Sequence, residues 1–483
     1  MRYKAAFAFA LTAWLAASES ACTVGPDYAK PAGASPDRYA FDSEHGGEPP
    51  SDRFWTAFGD PALDRIEARV LAENRDIAVA VARIDEARGI AAANRADLYP
   101  SLYLTPSIAR TGTSGKVGNP FPHLDTTLFS LPVSAAYEVD LWGKVRRSIN
   151  SANELLEADQ DAAASLRISI AAEAAADVLQ IRAIDRQDDV LLRSIQLRQQ
   201  LVDLANSRFR AGAVSALDVE TAKTELQTTI VEQQEVRRQR ELIVHALAVL
   251  ADQPAPAFSV EASPYIAEVP MVYSGLPSEL LERRPDVAAG ERELAAASEQ
   301  IGIARAAFFP SLTLTAGGGV ASQRLSELVG DRSVTWSFGP AVSLPLFDGG
   351  RNRAGLQIAQ ARYQQSLASY RKSLMVAFSE VQDALSDTAY FQAQSEHLGQ
   401  AFVTAQSAER ISKSRYERGL VSYLEVLDSQ RTALDVELAV VQNRRNRLIA
   451  SLTLMKALGG GWRAPEGRPG AGLPGAGSPG AGS

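Results

Sequence analysis

The residue types that most often carry enzyme chemistry are few in this chain and lie far apart. The four histidines are His45, His123, His245 and His397, and none belongs to an H-E-x-x-H zinc motif. The single cysteine, Cys22, has no second thiol with which to hold a metal or form a disulfide within the chain. No G-x-x-x-x-G-K-[ST] nucleotide loop occurs. The sequence therefore predicts no enzyme activity, no metal site and no cofactor.

One group of side chains has a spacing with a physical meaning. Leu424, Asp428 and Arg431 are separated by four and three residues, so a helix places all three on one face. An ordinary charged pair on a helix surface contributes only roughly 0.2–0.5 kcal/mol. Whether these residues do more depends on the elements that position them.

Those elements come in two copies. The segment Ser207–Val219 (SRFRAGAVSALDV) returns as Ser414–Val426 (SRYERGLVSYLEV) about 207 residues later. Upstream, Tyr99–Thr105 (YPSLYLT) returns as Phe309–Thr315 (FPSLTLT) about 210 residues later. Two matches at nearly one offset predict a duplicated unit of about 200 residues, so the fold must be two copies of one plan.

Each copy contains a long predicted helix. Residues 144–211 contain neither Gly nor Pro and are rich in Ala, Leu, Gln, Arg and Glu, a composition that favours helix. At about 1.5 Å per residue such a helix spans on the order of 100 Å. The second copy, 351–418, is interrupted only by Gly355 and Gly399. Shorter helical stretches are predicted at 60–98, 217–250, 277–308 and 424–458.

Each copy also contains two stretches with the alternation of a strand. Val334, Trp336 and Phe338 alternate with the polar Thr335 and Ser337, which gives one apolar face. Similar patterns cover 102–108, 131–141 and 312–320. These stretches suit strands tilted across a bilayer, of about 9–11 residues. A soluble sandwich fits any single stretch equally well.

The number of strands decides between these interpretations. Four strands are too few to close a membrane barrel, which needs about eight. Open strand edges are not viable in hydrocarbon, so strands that meet lipid must be pooled by several chains. The sequence therefore predicts an oligomer without choosing its number. Beyond the N-terminal signal, no uncharged apolar run is long enough for a membrane-spanning helix.

Composition and the N-terminus indicate an exported protein. Charged residues make up 22% of the chain and its net charge is -8, so no basic field exists for nucleic acid. Arg2 and Lys4 precede an apolar run at 5–17, which predicts a secretory signal over residues 1–21. Cys22 follows directly and suits a lipidated first residue of the mature chain. The alternative is a leftover thiol in a removed peptide.

Three segments together resemble a known family. They are Cys22–Tyr28 (CTVGPDY), Phe54–Leu63 (FWTAFGDPAL) and Leu276–Val287 (LPSELLERRPDV). With the twin segments described above, they resemble the TolC-like outer-membrane efflux channels, and within them the lipoprotein branch that contains OprM and NodT. The resemblance covers nearly the whole mature chain.

The resemblance implies an α+β membrane protein built from a duplicated helix-strand-strand-helix unit. Each chain would give four strands to a trimeric 12-stranded outer-membrane β-barrel, continued by a long periplasmic α-helical barrel. The expected organisation is a signal peptide at 1–21, a lipidated segment at 22–53, structural repeats at 54–260 and 261–462, and a disordered Gly/Pro/Ala tail at 463–483.

The resemblance also implies a function and its residues. The chain would be the exit duct of a tripartite efflux system, passively conducting drugs or other small molecules through a periplasmic gate. Its partners would be two further copies, a periplasmic adaptor, an inner-membrane pump of the RND type and outer-membrane lipid. A protein-secretion outlet and a non-conducting coiled-coil scaffold are the alternatives. The implied gate residues are Leu424, Glu425, Asp428 and Arg431. The implied adaptor contacts at the hairpin tips are Arg208, Gly212, Ser215, Leu217, Arg415, Gly419 and Ser422, although a glycine in such a turn also has a purely structural explanation.

Overall fold

The structure is a computed structural model that describes residues 23–31, 39–41, 50–114, 125–263, 267–272 and 283–465. Several sequence predictions lie outside these residues: the signal peptide at 1–21, the lipid attachment at Cys22, residues 276–282 of the third family segment, and residues 466–483 of the tail.

The helices confirm the duplicated plan. The two long helices have 67 residues each and the two that follow them have 35 residues each. Short 3-10 turns lie at Phe54–Phe58, Ala255–Ala257 and Leu325–Glu327. The α-helices are α1 (Pro61–Glu73), α2 (Arg75–Ala96), α3 (Lys144–Arg210), α4 (Ala216–Leu250), α5 (Pro285–Ala306), α6 (Arg351–Glu417) and α7 (Tyr423–Ala457).

The strands form one antiparallel sheet. They are β1 (Ser101–Leu104), β2 (Ser107–Gly112), β3 (Asp125–Val139), β4 (Ser311–Ser322) and β5 (Val334–Ser343). Both β1 and β2 pair with β3, which pairs with β4, which pairs with β5. The register places Val133 opposite Gly318 and Gly318 opposite Trp336. Because β1 and β2 continue one line, the sheet is four strands wide, and the predicted fold class is confirmed.

The outer strand of the sheet exposes apolar side chains. Trp336 is 81% exposed, and Phe338 and Val342 on the same face are also exposed. Among the described residues β5 pairs only with β4, and β1 and β2 pair only with β3. The sheet of a single chain thus has two unpaired strand edges and an apolar surface whose exposure to water is unfavourable.

Two elements differ from the sequence prediction. The predicted helix at 60–98 is divided at Asn74, whose carbonyl Oδ1 accepts hydrogen bonds from the amides of Asp76 and Ile77. Its side-chain amide also donates to the Leu250 carbonyl at 3.0 Å, so Asn74 caps α2 and ties it to α4. The predicted strand at 102–108 is divided between β1 and β2, at Thr105 and Pro106, where proline supplies no amide for the ladder.

The chain divides into two compact units. The first, Met1–Pro31, Arg83–Asp159 and Gly290–Tyr370, contains the sheet. The second, Ala32–Ala82, Gln160–Ala289 and Arg371–Ser483, contains the turns and the greater part of both helical hairpins. It also contains a core in which Phe58, Leu63 and Val70 pack against α3 and α4. Among the described residues no helix is apolar enough over a sufficient length to span a membrane.

Candidate functional site

The turns of the two hairpins in the second unit share one geometry. Gly212 follows α3 with φ of 72°, and Gly419 follows α6 with φ of 77°, the left-handed region that glycine adopts without strain. The Gly212 amide donates to the Phe209 carbonyl and the Ala213 amide to the Arg208 carbonyl, both at 2.9 Å. The same pair of bonds follows Gly419. These are Schellman caps, so both predicted tip glycines end a long helix.

The first residues after each turn behave differently in the two copies. Ser215 caps α4 and forms a reciprocal capping box with Asp218. Ser422 occupies the cap of α7 but makes no side-chain hydrogen bond there. Glu425, which stands where the first copy has Asp218, instead lies 3.1 Å from Arg415. The second turn therefore has a weaker cap and an exposed charge pair across it.

The two tips of one chain pack against each other through aromatic and aliphatic side chains. Tyr416 and Tyr423 are buried, with ring centroids 5.9 Å apart, in a cluster that also contains Val219 and Val426. The Arg208 guanidinium lies 4.4 Å from the centre of the Tyr416 ring and donates to the Glu417 carbonyl at 2.8 Å. Arg208 thus joins the first tip to the second.

A buried carboxylate links the hairpins beside the tips. Glu225 on α4 accepts from Arg198 on α3 at 2.9 Å, and both side chains are buried. The exposed Arg431 on α7 donates to both Glu225 oxygens, with its Nε 3.2 Å from Oε2. The hydrogen bond to Glu225 raises the pKa of Arg431, and the charge of Asp428 adds to the rise. Arg431 is therefore held by its own chain.

Two of the predicted gate residues face outward. Leu424 is 70% exposed, although leucine is normally buried. Asp428 is also exposed, and in the described residues its carboxylate has no hydrogen-bond partner or ion pair. Leu217, at the position in the first copy that corresponds to Leu424, is 72% exposed. Leu424 and Asp428 are thus free to meet another molecule.

The structure brings the predicted tip and gate residues into one region of the second unit, and it adds two residues that the sequence analysis missed. Glu225 and Arg198 lie on opposite helices of the first hairpin at similar distances from its turn. An antiparallel hairpin brings such positions together. A search for oppositely charged residues at equal distances before and after Gly212 could therefore have found this pair in the sequence.

The segment after Cys22 is fixed to the first unit. The Val24 amide donates to the Trp142 carbonyl at 3.1 Å, and Arg147 donates to the Pro26 carbonyl at 3.2 Å. Lys30 Nζ lies 2.7 Å from the Glu291 carboxylate. Trp142 in turn donates to the carbonyl of Pro310, directly before β4. Residues 24–30 therefore lie beside the junction of strands and helices.

Within the described ranges, no cluster of His, Cys, Asp and Glu could hold a metal ion. The arrangement supplies an exposed charge pair and exposed apolar side chains beside two glycine turns, which suit a contact with another protein.

Comparison with known proteins gives a consistent result. A sequence profile described as outer membrane efflux protein matches the chain twice, at residues 68–251 and 276–460. Outer membrane protein OprJ of Pseudomonas aeruginosa is 33% identical over 470 residues, 95% of this chain and 97% of OprJ. Pyoverdine export outer membrane protein OpmQ of the same organism is 34% identical over 427 residues, 85% of this chain and 88% of OpmQ. A solved structure of the outer-membrane channel OprN superimposes with a TM-score of 0.86 at 29% identity, covering 91% of this chain and 100% of that one.

Proposed function

The chain belongs to the outer membrane efflux protein family and is an outer-membrane efflux channel protein, and we propose that three copies form the exit duct of a tripartite efflux system. The observation that carries the proposal is the four-stranded sheet with two open edges and an exposed apolar face. Three such sheets would give 12 strands, which is enough to close a membrane barrel, because the smallest such barrels have about eight strands. The edges of β5 and of β1 and β2 would then pair between copies.

The duct would close at its periplasmic end. Leu424, Glu425, Asp428 and Arg431 form the proposed gate, because Leu424 and Asp428 face outward while Arg431 is tied to Glu225. Symmetry would bring three copies of this face together at a narrow mouth. Opening would move α7 away from α4 and break the bond between Arg431 and Glu225, so a partner that binds the open arrangement better would shift the equilibrium towards it.

The tips would receive a periplasmic adaptor. Apolar side chains are exposed there, among them Phe209, Leu217 and Leu420. Exposed apolar groups rimmed by charge favour a protein interface. The proposed contacts are Arg208, Gly212, Ser215, Leu217, Arg415, Gly419 and Ser422. An inner-membrane pump, of the RND type in our proposal, would supply the energy.

The N-terminus would be anchored by lipid at Cys22. Residues 24–30 are held beside the junction of the sheet and the helices, so acyl chains on Cys22 would lie near the membrane surface. We further propose that residues 54–260 and 261–462 are the two structural repeats of the chain. The two matches of the family profile, at 68–251 and 276–460, support this division.

The transported compounds are proposed to be small molecules. Two relatives are named for such transport: OpmQ for pyoverdine export, and SrpC of Pseudomonas putida as a solvent efflux pump protein, which is 32% identical. No described feature of this chain favours protein secretion.

The gate is tested by single-channel conductance of the purified full-length protein in a planar bilayer. We expect the wild type to open rarely and Leu424→Ala and Asp428→Ala to open more often. Leu217→Ala is the matched control, because Leu217 occupies the position in the first copy that corresponds to Leu424 and is about as exposed. Equal effects of Leu217→Ala and Leu424→Ala would refute the gate, while conductance in all variants would still support the channel. Native mass spectrometry of the same preparation tests the trimer.

A further inference from the structure

Two arginines of the second hairpin occupy the same positions as two arginines of the first, but only those of the first hairpin have acidic partners. On α4, Arg237 and Arg240 are three residues apart, and the duplication places Arg444 and Arg447 at the equivalent positions of α7. Because the paired helices of the two copies have equal lengths, the correspondence needs no insertion or deletion.

In the first hairpin both arginines are neutralised by aspartates of α3. Arg237 Nε lies 2.8 Å from Asp188 Oδ1, and Arg240 Nε lies 2.6 Å from Asp185 Oδ1. Asp185 also accepts a hydrogen bond from the Ser263 amide at 2.8 Å. The geometry of this part of a hairpin thus accommodates two carboxylates opposite the two guanidinium groups.

In the second hairpin both aspartates are replaced by neutral residues. Ser395 stands at the position of Asp188, and Gln392 at the position of Asp185. Arg447 donates to the Ser395 hydroxyl at 3.1 Å and to the Gln392 carbonyl oxygen. The same exchange occurs once more, since Arg238 pairs with Glu235 in the first copy and Gln442 precedes Arg445 in the second.

The two arginines are left without a carboxylate partner in the described part of the chain. Arg444 donates to the Ala267 carbonyl at 2.8 Å, a neutral acceptor. Burial and the nearby charge of Arg444 both lower the pKa of Arg447. Two guanidinium groups that repel each other in a partly buried place favour an anion between them.

Space for an anion exists beside them. A cavity of about 330 Å³ is lined by Arg444 and Arg447 together with Ser395, Gly399 and Asn443. Glu437 also lines this cavity, but its carboxylate lies 2.7 Å from Arg193 and is already paired. A solvated pair of like charges is the simpler alternative, and it does not explain why two acids were exchanged at equivalent positions beside a cavity.

We propose that Arg444 and Arg447 form an anion site that binds a carboxylate group supplied from outside the four hairpin helices. Guanidinium groups bind carboxylates through paired hydrogen bonds, as Arg237 does with Asp188 in the first copy. The carboxylate is that of a free dicarboxylate in the surrounding solution.

Thermal unfolding of the full-length protein in succinate, compared with chloride at equal ionic strength, tests the site. We expect a saturable rise of the melting temperature in the wild type. Ser395→Asp places a carboxylate inside the site, as in the first copy, and should weaken the succinate effect at least about tenfold, the loss expected for a charge-assisted hydrogen bond. Ser395→Asn is the matched neutral control and should respond like the wild type.

The proposal is overturned if succinate has no saturable effect on the melting temperature of the wild type. It is equally overturned if Ser395→Asp responds as Ser395→Asn does. The site is independent of the proposed gate, so neither result bears on channel conductance.

Discussion

Replacing Glu67 by glutamine should remove a large part of the pH dependence of folding. Glu67 lies on α1 between Leu63 and Val70, in the core of the second unit, and is 0% exposed. In the described residues neither of its carboxylate oxygens has a hydrogen-bond partner. Burial raises the pKa of Glu67 to about 9 against a smaller lowering by the nearby Ala175 backbone, and the charge of Asp64 makes the smallest contribution, which is also upward. The side chain is therefore protonated in the folded protein at neutral pH.

The size of the effect follows from the two pKa values of this carboxyl. In the unfolded chain its pKa is near 4.5, so between about pH 4.5 and 9 the folded state holds one proton more than the unfolded state. The free energy of unfolding then falls by about 1.4 kcal/mol for each pH unit, or roughly 6 kcal/mol over the whole window. The contribution is fully present below pH 4.5 and is lost as the pH rises through 9.

The assay is thermal unfolding of the purified protein, followed by helical circular dichroism across this pH range. The melting temperature of Glu67→Gln should fall less steeply with pH than that of the wild type, because glutamine does not titrate. Glu73→Gln is the control, since Glu73 lies exposed at the end of the same helix. Parallel curves for wild type and Glu67→Gln would refute the reasoning, because they would mean that Glu67 is ionised or solvated in the folded state.

Three further predictions concern the hairpins. Ser215→Ala should destabilise the protein by about 1 kcal/mol, while Ser422→Ala should have almost no effect, since only Ser215 makes a side-chain cap; equal losses in thermal unfolding would contradict this. Gly419→Ala should destabilise the protein by about 1–2 kcal/mol because Gly419 has a φ of 77°, whereas Gly355→Ala inside α6 should stabilise it by roughly 0.5–1 kcal/mol. An unchanged melting temperature of Gly419→Ala would show that the turn can rearrange. Glu225→Gln should cost about 3–5 kcal/mol by leaving the buried charge of Arg198 without a carboxylate, although Arg198 keeps its bond to the residue 225 carbonyl. Arg431→Gln should cost less than about 1 kcal/mol because Arg431 is exposed, and chemical denaturation that ranks these two variants in the opposite order would disprove the assignment.

Much of the local structure could be predicted because its causes are local. The absence of Gly and Pro from 144–211 is enough to predict α3, and the alternation of Val334, Trp336 and Phe338 is enough to predict β5. The duplication predicted that each element would occur twice. The division at Asn74 was missed although the bonds by which its side-chain oxygen caps α2 are local, to the amides of Asp76 and Ile77. Only its further hydrogen bond to the Leu250 carbonyl depends on a residue distant in the sequence.

The sequence by itself determined the duplicated plan, the helix and strand types, and the alignment of Leu424, Asp428 and Arg431 on one face, since periodicity and turn residues act over a few positions. Only the tertiary structure decided what those residues contact. It pairs Arg431 with Glu225, buries Glu67 without a partner, and leaves Arg447 beside Gln392 where Arg240 has Asp185. Charge pairs between helices depend on how the hairpins pack, and packing is set by apolar contacts among residues far apart in the chain.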